Sequence, residues 1–151
     1  MNTGTITQII GTVVDISFSE NQLPRIQNAL TVVGKEALER PEPIVLEVVQ
    51  HLGMGRVRCI SMSSTDGLKR GDIVEDTGAP IQVPVGENVL GRMFDVIGTP
   101  IDGLGKLDVK QYASIHRDPP SFSEQATETE VFETGIKVID LLVPFIKGGK
   151  V

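Results

Sequence analysis

The sequence predicts a mainly β fold whose first half consists of six short strands. Two observations support this prediction. Segments rich in β-branched residues recur at spacings of roughly 12 to 16 residues, a pattern typical of all-β domains. Turn-forming residues separate these segments, and the 16 glycines and 9 prolines among 151 residues favour tight turns over long helices.

The predicted strands are Thr5–Ile10, Thr12–Phe18, Ala29–Val33, Ile44–Val49, Arg56–Met62 and Asp72–Glu75. Gly11 separates the first two strands and lets the chain bend sharply between them. Pro24, Gly34, Pro41 and Gly53 mark turns or loops between the later strands. Strands this short, at these intervals, are typical of a closed antiparallel barrel or of a sandwich.

The second half opens with a segment rich in glycine and proline, residues 79–103. Pro80 and Pro84 exclude a central strand there but allow an edge strand, because proline cannot donate a ladder hydrogen bond. We expect one or two helical turns at Val89–Phe94 and a turn at Thr99–Gly103.

Residues 117–134 are polar and acidic, which indicates a solvated connection over the surface. The best helix signal follows this segment, with Thr134 as the amino-terminal cap and Pro144 as the residue that ends the helix. Four apolar residues recur at helical spacing and define one face: Ile136, Ile139, Leu142 and Val143. After this helix we expect Val151 to begin a buried strand.

Charge and composition argue against several classes of protein. The formal net charge is −6 and no basic face is large enough to hold a phosphate backbone, which argues against nucleic-acid binding. Aromatic residues make up only 4% of the chain, so few side chains are available to stack on nucleic-acid bases. The amino terminus lacks a charged leader followed by an apolar stretch, and no run approaches the ~18 apolar residues of a membrane span. The single cysteine, Cys59, cannot form an internal disulfide and is expected to be a buried strand thiol.

Three glycine-rich stretches superficially resemble phosphate-binding loops, but each lacks a required residue. Gly98 and Gly103 have the spacing of a Walker loop, whereas Leu104 stands where lysine is required. Residues 103–106 lack the upstream glycine and the following hydroxyl, although Lys106 is present. Residues 148–150 lack the upstream glycine, because position 144 is proline. The sequence therefore predicts no nucleotide site in these stretches.

The two histidines, His51 and His116, lie far apart and have no surrounding cluster of metal ligands, so no metal site is predicted. We expect His51 to be a strand-end residue with a hydrogen-bond partner. We expect His116 to belong to a structural corner before Asp118 and its two following prolines. No catalytic, cofactor-binding or metal-binding residue is predicted in this chain.

An ordered set of stretches is more specific than any single motif. The stretches are GTVVDISF at 11–18, LEVVQHLG at 46–53, VRCISMSSTDGLKRG at 57–71, TGAPIQVPVGENVLGRMFDVIGTPID at 77–102, IHRDPPSF at 115–122 and ETGIKVIDLLVPFIKGGKV at 133–151. Together they resemble the beta subunit of the F-type (proton-translocating) ATP synthase over the whole chain. Glu133 before Thr-Gly and the Gln-His-Leu-Gly block at 50–53 look more like beta than like the related alpha subunit.

The resemblance implies two domains. Residues 1–78 would form the small six-stranded β-barrel with which family members assemble a crown. Residues 79–151 would be the incomplete start of an α/β P-loop nucleotide-binding domain. Three alpha subunits and three beta subunits of the family alternate in a hexameric ring around a central stalk subunit. We therefore expect alpha subunits and the stalk as partners of the parent protein, with no nucleic acid and no direct membrane insertion.

The resemblance also implies what the parent protein does. The parent makes or hydrolyses ATP, as Mg-ATP or ADP, and couples this reaction to proton transport by rotary catalysis. The family's phosphate loop would follow residues 148–151 almost immediately, so we expect an amino-terminal fragment that is inactive alone and supplies a ring-assembly scaffold. Whether to class the chain as an enzyme stays open.

Two alternatives remain at this point. The chain could be a complete ATPase whose coding sequence continues beyond Val151, or a stand-alone β-barrel module for protein interaction with no link to ATP. The expected location is the cytoplasmic face of the bacterial plasma membrane, as a peripheral protein, and a plastid thylakoid location fits as well.

Overall fold

The computed structural model describes residues 2–19, 21–34, 43–105, 107–125 and 128–150. The chain divides into two compact units, residues 1–117 and 118–151. The predicted domain boundary at residue 78 stays a prediction. Pro41, Lys106 and Val151, for which the sequence made predictions, lie outside the described residues.

A closed six-stranded antiparallel barrel dominates the first unit and confirms the predicted fold class. Its strands are β1 (Thr3–Ile10), β2 (Val13–Ser17), β3 (Asn28–Val33), β4 (Val45–Gly53), β5 (Arg56–Ser61) and β6 (Ile73–Pro80). Around the barrel they follow the order β1, β2, β5, β4, β3, β6, and β6 pairs with β1 to close it. Closure leaves no unpaired sheet edge, which lets a small sheet satisfy its backbone hydrogen bonds.

The barrel interior is aliphatic, as the low aromatic content requires. Alternate residues of each strand point inward, so that one side chain in two is buried. The core cluster consists of Ile6, Val14, Ile16, Phe18, Leu30, Val32, Ile44, Leu46, Val48, Val57, Cys59 and Val74. Gly4 belongs to the same interior, where a Cβ atom would lie 2.7 Å from the ring of Phe18. Only glycine therefore fits at this point of β1.

Two barrel strands continue several residues past the carboxyl end that the sequence predicted. Strand β4 continues to Gly53, which pairs with Arg56 across a two-residue turn. Both turn residues, Met54 and Gly55, have positive φ, as a type I′ hairpin requires. Strand β6 continues to Pro80, which pairs with Asn28 of β3.

Residues 81–117 complete the first unit. A two-stranded sheet pairs β7 (Gln82–Pro84) with β8 (Tyr112–Ser114), so the edge strand allowed at Pro84 is present. The helical turns predicted at Val89–Phe94 are wrong: a single 3-10 turn lies earlier, at Glu87–Val89. Phe94 instead forms an isolated β-bridge with Pro100, because the loop beyond the 3-10 turn folds back on itself.

The second unit is small and mostly exposed. It contains a 3-10 turn (Phe122–Glu124), strands β9 (Val131–Phe132) and β10 (Phe145–Ile146), which pair with each other, and the helix α1 (Lys137–Leu142). None of the described helices is long and apolar enough to cross a membrane. Several apolar side chains of this unit are more than half exposed: Ile136, Val138, Leu141, Leu142 and Val143.

Thr134 is not the helix cap that the sequence predicted, since Ile136 holds that position. The Thr134 hydroxyl instead donates to Oδ1 of Asp140 at 2.6 Å. The backbone amides of Thr134 and Gly135 donate to the same carboxylate. These hydrogen bonds lower the pKa of Asp140 and hold the turn before the helix. The helix is shorter than predicted because this turn, rather than a first helical turn, uses residues 134–136.

Candidate assembly surface

The outside of the barrel has a covered side, formed by β3, β4 and β6. Ala29 points outward, since its neighbour Leu30 is in the core, yet Ala29 is only 7% exposed. The segment that follows β6 covers it, and Ile81 of that segment is 4% exposed. An open cleft of about 310 Å³ lies between this segment and the barrel wall at Ala29, Thr31 and Val45.

A polar contact joins the covering segment to the barrel. The ring nitrogen Nε2 of His116, just after β8, lies 2.7 Å from Oε2 of Glu47 on β4 and donates to it. The Glu47 side chain is 13% exposed and that of His116 is 30% exposed. His116 therefore does lie at a corner, as predicted, and the sequence did not reveal that Glu47 is its partner.

The opposite side of the barrel, formed by β1, β2 and β5, carries a row of apolar side chains that the first unit leaves open. Ile10 pairs with Val13, and Val13 pairs with Ile60, so the three residues are neighbours across three strands. Ile10 is 59% exposed and Ile60 is 40% exposed. We call Ile10, Val13 and Ile60 the apolar row. Contiguous exposed apolar side chains of this kind mark contact sites in proteins.

A polar pair lies beside the apolar row. Asp15 of β2 pairs with Arg58 of β5, and the guanidinium binds the carboxylate in bidentate fashion, at 2.8 Å and 2.9 Å. The hydrogen bonds from Arg58 lower the pKa of Asp15 although burial opposes this, and the same contact raises the pKa of Arg58. The two charges cancel, so the open side combines an apolar row with a rigid neutral pair.

The remaining candidates from the sequence have structural roles. Cys59 is fully buried in β5, as predicted, and burial raises the pKa of its thiol to about 12. The ring of His51 donates to the carbonyl of Pro24 at 2.8 Å, so the prediction that His51 has a hydrogen-bond partner is confirmed, although the sequence did not indicate which one. Within the described part of the chain, no group of three or more His, Cys, Asp or Glu side chains could hold a metal ion.

Four backbone amides of the glycine-rich loop at 91–105 donate to carboxylates of the same loop. These four N–H groups therefore already have acceptors within the chain. Asp95 accepts from the amides of Ile97 and Thr99. Asp102 accepts from the amides of Met93 and Leu104.

The glycine-rich turn near residue 148 has internal partners as well. Gly149 N–H donates to the carbonyl of Ile146 at 2.9 Å. The ammonium group of Lys147 pairs with Glu130. Residues of this turn therefore hold the two-stranded sheet of the second unit, and we derive no nucleotide chemistry from them.

The apolar row was missed by the sequence reasoning, although a signal for it existed. Cys59 was expected to be buried, so its strand neighbour Ile60 had to point outward by the two-residue period of a strand. An isoleucine on the solvent side of a predicted strand is the residue to examine for a contact surface.

Comparison with protein families identifies the barrel. Residues 6–78 match the family model of the ATP synthase alpha/beta family, beta-barrel domain. The match begins within β1 and ends within β6, so it spans the strands that form the closed barrel. The barrel of residues 6–78 is therefore similar to the beta-barrel domain of the ATP synthase alpha/beta family.

Proposed function

We propose that this chain is the amino-terminal part of a beta-type subunit and that its barrel assembles with neighbouring subunits through the side formed by β1, β2 and β5. The apolar row on a barrel domain of this family is the observation that carries the proposal. The family implies assembly with other subunits. The β3–β4–β6 side is already covered by the chain's own residues, which leaves the opposite side for a partner.

The chemistry of the open side suits a specific contact. Ile10 and Ile60 offer apolar area that a partner can bury, at roughly 25 cal/mol per Å². The Asp15–Arg58 pair beside them is already fixed, so little side-chain entropy is lost there on binding. Apolar residues flanked by fixed polar groups are a common arrangement in protein interfaces.

Two sequence features support a beta-type rather than an alpha-type subunit. Glu133 precedes the Thr134–Gly135 turn that Asp140 holds, and His51 of the Gln-His-Leu-Gly block binds the carbonyl of Pro24. Under this proposal the partners are alpha-type subunits in an alternating ring, with the central stalk subunit in the parent assembly.

The parent protein under this proposal makes or hydrolyses ATP and couples the reaction to proton transport. Magnesium nucleotide then binds to residues other than the loops at 91–105 and 147–149, several of whose donors are used internally. The corresponding location is peripheral, at the cytoplasmic face of a bacterial plasma membrane or at a plastid thylakoid.

The test is binding of this chain to an alpha-type subunit of an F-type ATP synthase, measured by co-purification and by calorimetry. Ile60→Lys should weaken binding roughly tenfold or more, the effect of about 1.4 kcal/mol at a central contact residue. Met54→Lys is the matched control, because Met54 is apolar and 84% exposed but lies at the β4–β5 turn.

Hydrogen exchange of the barrel strands should be unchanged in both variants, which separates lost contact from lost folding. Equal binding by wild type and Ile60→Lys would contradict the assigned side of the barrel. Binding to no alpha-type subunit, with folding intact, would contradict the proposed function.

A further inference from the structure

The open side of the barrel also carries two arginines, both on β5. Val57 and Cys59 of this strand are buried, so Arg56 and Arg58 point outward by the two-residue alternation of a strand. Ile60 of the apolar row points to the same side, two residues beyond Arg58. The two arginines and the apolar row therefore lie on one face of the barrel.

The chain itself supplies a carboxylate for only one of the two arginines. Asp15 accepts from Nε and Nη2 of Arg58, so the N–H groups of Nη1 take no part in this pair. Among the residues that the structure describes, Arg56 forms no ion pair. The hydrogen bond from Arg58 is the main cause of the lowered pKa of Asp15, and the charge of Arg56 lowers it further. Two positive charges and one negative charge therefore meet here, in a chain whose formal net charge is −6.

The negative charge of this group is covered and the positive charges are presented to solvent. The side chain of Asp15 is 8% exposed, whereas that of Arg58 is 39% exposed, and Arg56 is exposed as well. A guanidinium held in place, with donors left over, suits a carboxylate, because its planar N–H groups match the two carboxylate oxygens. A carboxylate is therefore the partner group that this part of the open side fits.

We propose that the subunit docking on the open side places a carboxylate against Arg58 and Arg56, and that these two arginines determine which partner is accepted. This inference rests on the proposed function, which assigns the open side to a neighbouring subunit. The apolar row gains free energy by burial against any apolar partner surface. The arginines discriminate, because a partner without the carboxylate would remove water from two positive charges and leave them uncompensated.

The experiment measures binding of the full chain to an alpha-type subunit of an F-type ATP synthase, by calorimetry and by association kinetics at several salt concentrations. Arg56→Gln leaves the Asp15–Arg58 pair intact. It should weaken binding roughly 2- to 5-fold, slow association and reduce the salt dependence of the association rate. Arg25→Gln is the matched control, because Arg25 is also exposed but precedes β3, outside the open side, and it should change neither the affinity nor the salt dependence.

A double variant tests the second arginine without leaving Asp15 unpaired. Asp15→Asn with Arg58→Gln replaces the ion pair by two amides of similar size, and binding should weaken about tenfold or more, since the partner's carboxylate loses its donor. Hydrogen exchange of β2 and β5 shows whether this variant is folded. If it is not, Arg56→Gln and its control decide the question.

The outcomes separate this inference from the proposed function. Wild-type affinity and salt dependence in the arginine variants, with Ile60→Lys still weakening binding, would overturn the inference and leave the proposed function intact. Equal effects of Arg56→Gln and Arg25→Gln would also overturn it, because only the overall charge would then matter. Failure of the folded wild-type chain to bind would contradict the proposed function, and this inference with it.

Discussion

The contact between His116 and Glu47 should decide how firmly the segment after β6 is held on the barrel. The change to test is His116→Ala, which removes the ring that donates to the Glu47 carboxylate. Because that carboxylate is only 13% exposed, water replaces the lost donor poorly. The covering segment should then detach more often than in the wild type.

The size of the effect follows from the geometry. Leaving a largely buried acceptor without its partner costs about 1–3 kcal/mol. If the loss is local, it raises the population of the detached state by roughly 5- to 150-fold. The barrel strands should keep their protection, since their core and hydrogen bonds do not involve His116.

Hydrogen exchange read by mass spectrometry measures this directly. The amide of Ile115 donates to the carbonyl of Ile81, and β8 pairs with β7, so peptides covering 112–115 report the separation of β8, which precedes His116, from residues 81–84. The single tyrosine, Tyr112 in β8, gives an independent fluorescence signal because the chain has no tryptophan. A double-mutant cycle with Glu47→Ala should give a coupling free energy of about 0.5–3 kcal/mol.

His51→Ala is the matched control, since it also removes a ring that donates to one acceptor, the Pro24 carbonyl. It should increase exchange around residue 24 and leave 112–115 unchanged. Unaltered exchange of 112–115 in both His116→Ala and Glu47→Ala would refute the reasoning, and so would additive effects in the cycle.

Three further predictions concern the barrel itself. The Cys59 thiol, with its pKa raised to about 12, should react with a disulfide reagent at mildly alkaline pH far more slowly in the native chain than in urea, and comparable rates would contradict its burial. Asp15 has a lowered pKa in the fold, so its contribution to stability is present above its unfolded value of about 3.9 and is lost as the pH falls through the folded value. Asp15→Asn should therefore lose less stability than the wild type as the pH falls below about 4. An equal loss in both proteins, measured by urea titration at several pH values, would contradict the role of Arg58. Gly4→Ala should destabilise the barrel by about 1–3 kcal/mol, measured as the urea midpoint, since its Cβ would clash with Phe18.

The sequence predicted the barrel well because strand patterns are local. All six predicted strands are present, and the buried thiol of Cys59 followed from its place in one of them. The predictions were wrong where a few side-chain hydrogen bonds determine the backbone conformation of a turn. Asp140 accepts a hydrogen bond from Thr134, six residues before it, and so fixes the turn there. Helix-capping rules do not predict this contact.

The partners of polar side chains were not predictable, since they depend on strand order. Glu47 and His116 are 69 residues apart and meet only because the chain folds back over β4. Asp15 and Arg58 are 43 residues apart and meet because β2 pairs with β5 rather than with β3. The two-residue alternation of a strand predicts the face on which a side chain lies. It does not predict which strand lies alongside, because that depends on the order of the strands in the sheet.

The apolar row itself depends on one irregularity in β1. The β1–β2 register shifts between Ile6 and Gln8, so the strand contains a bulge at this point. Simple alternation from the buried Ile6 would turn Gln8 and Ile10 inward. The bulge reverses this: Gln8 is exposed, Ile9 packs against the core, and Ile10 lies outside beside Val13.

The bulge in β1 therefore affects both the core and the surface of the barrel. It removes an amide side chain from an aliphatic interior, where an unpaired polar group would be costly. It also moves one isoleucine to the side of the barrel that the first unit leaves open. Because a one-residue shift changes the face of every later side chain in the strand, the register of β1 determines whether this side is polar or apolar. The proposed assembly surface is in this sense a property of strand register, set by where the bulge lies, and not of the composition of β1.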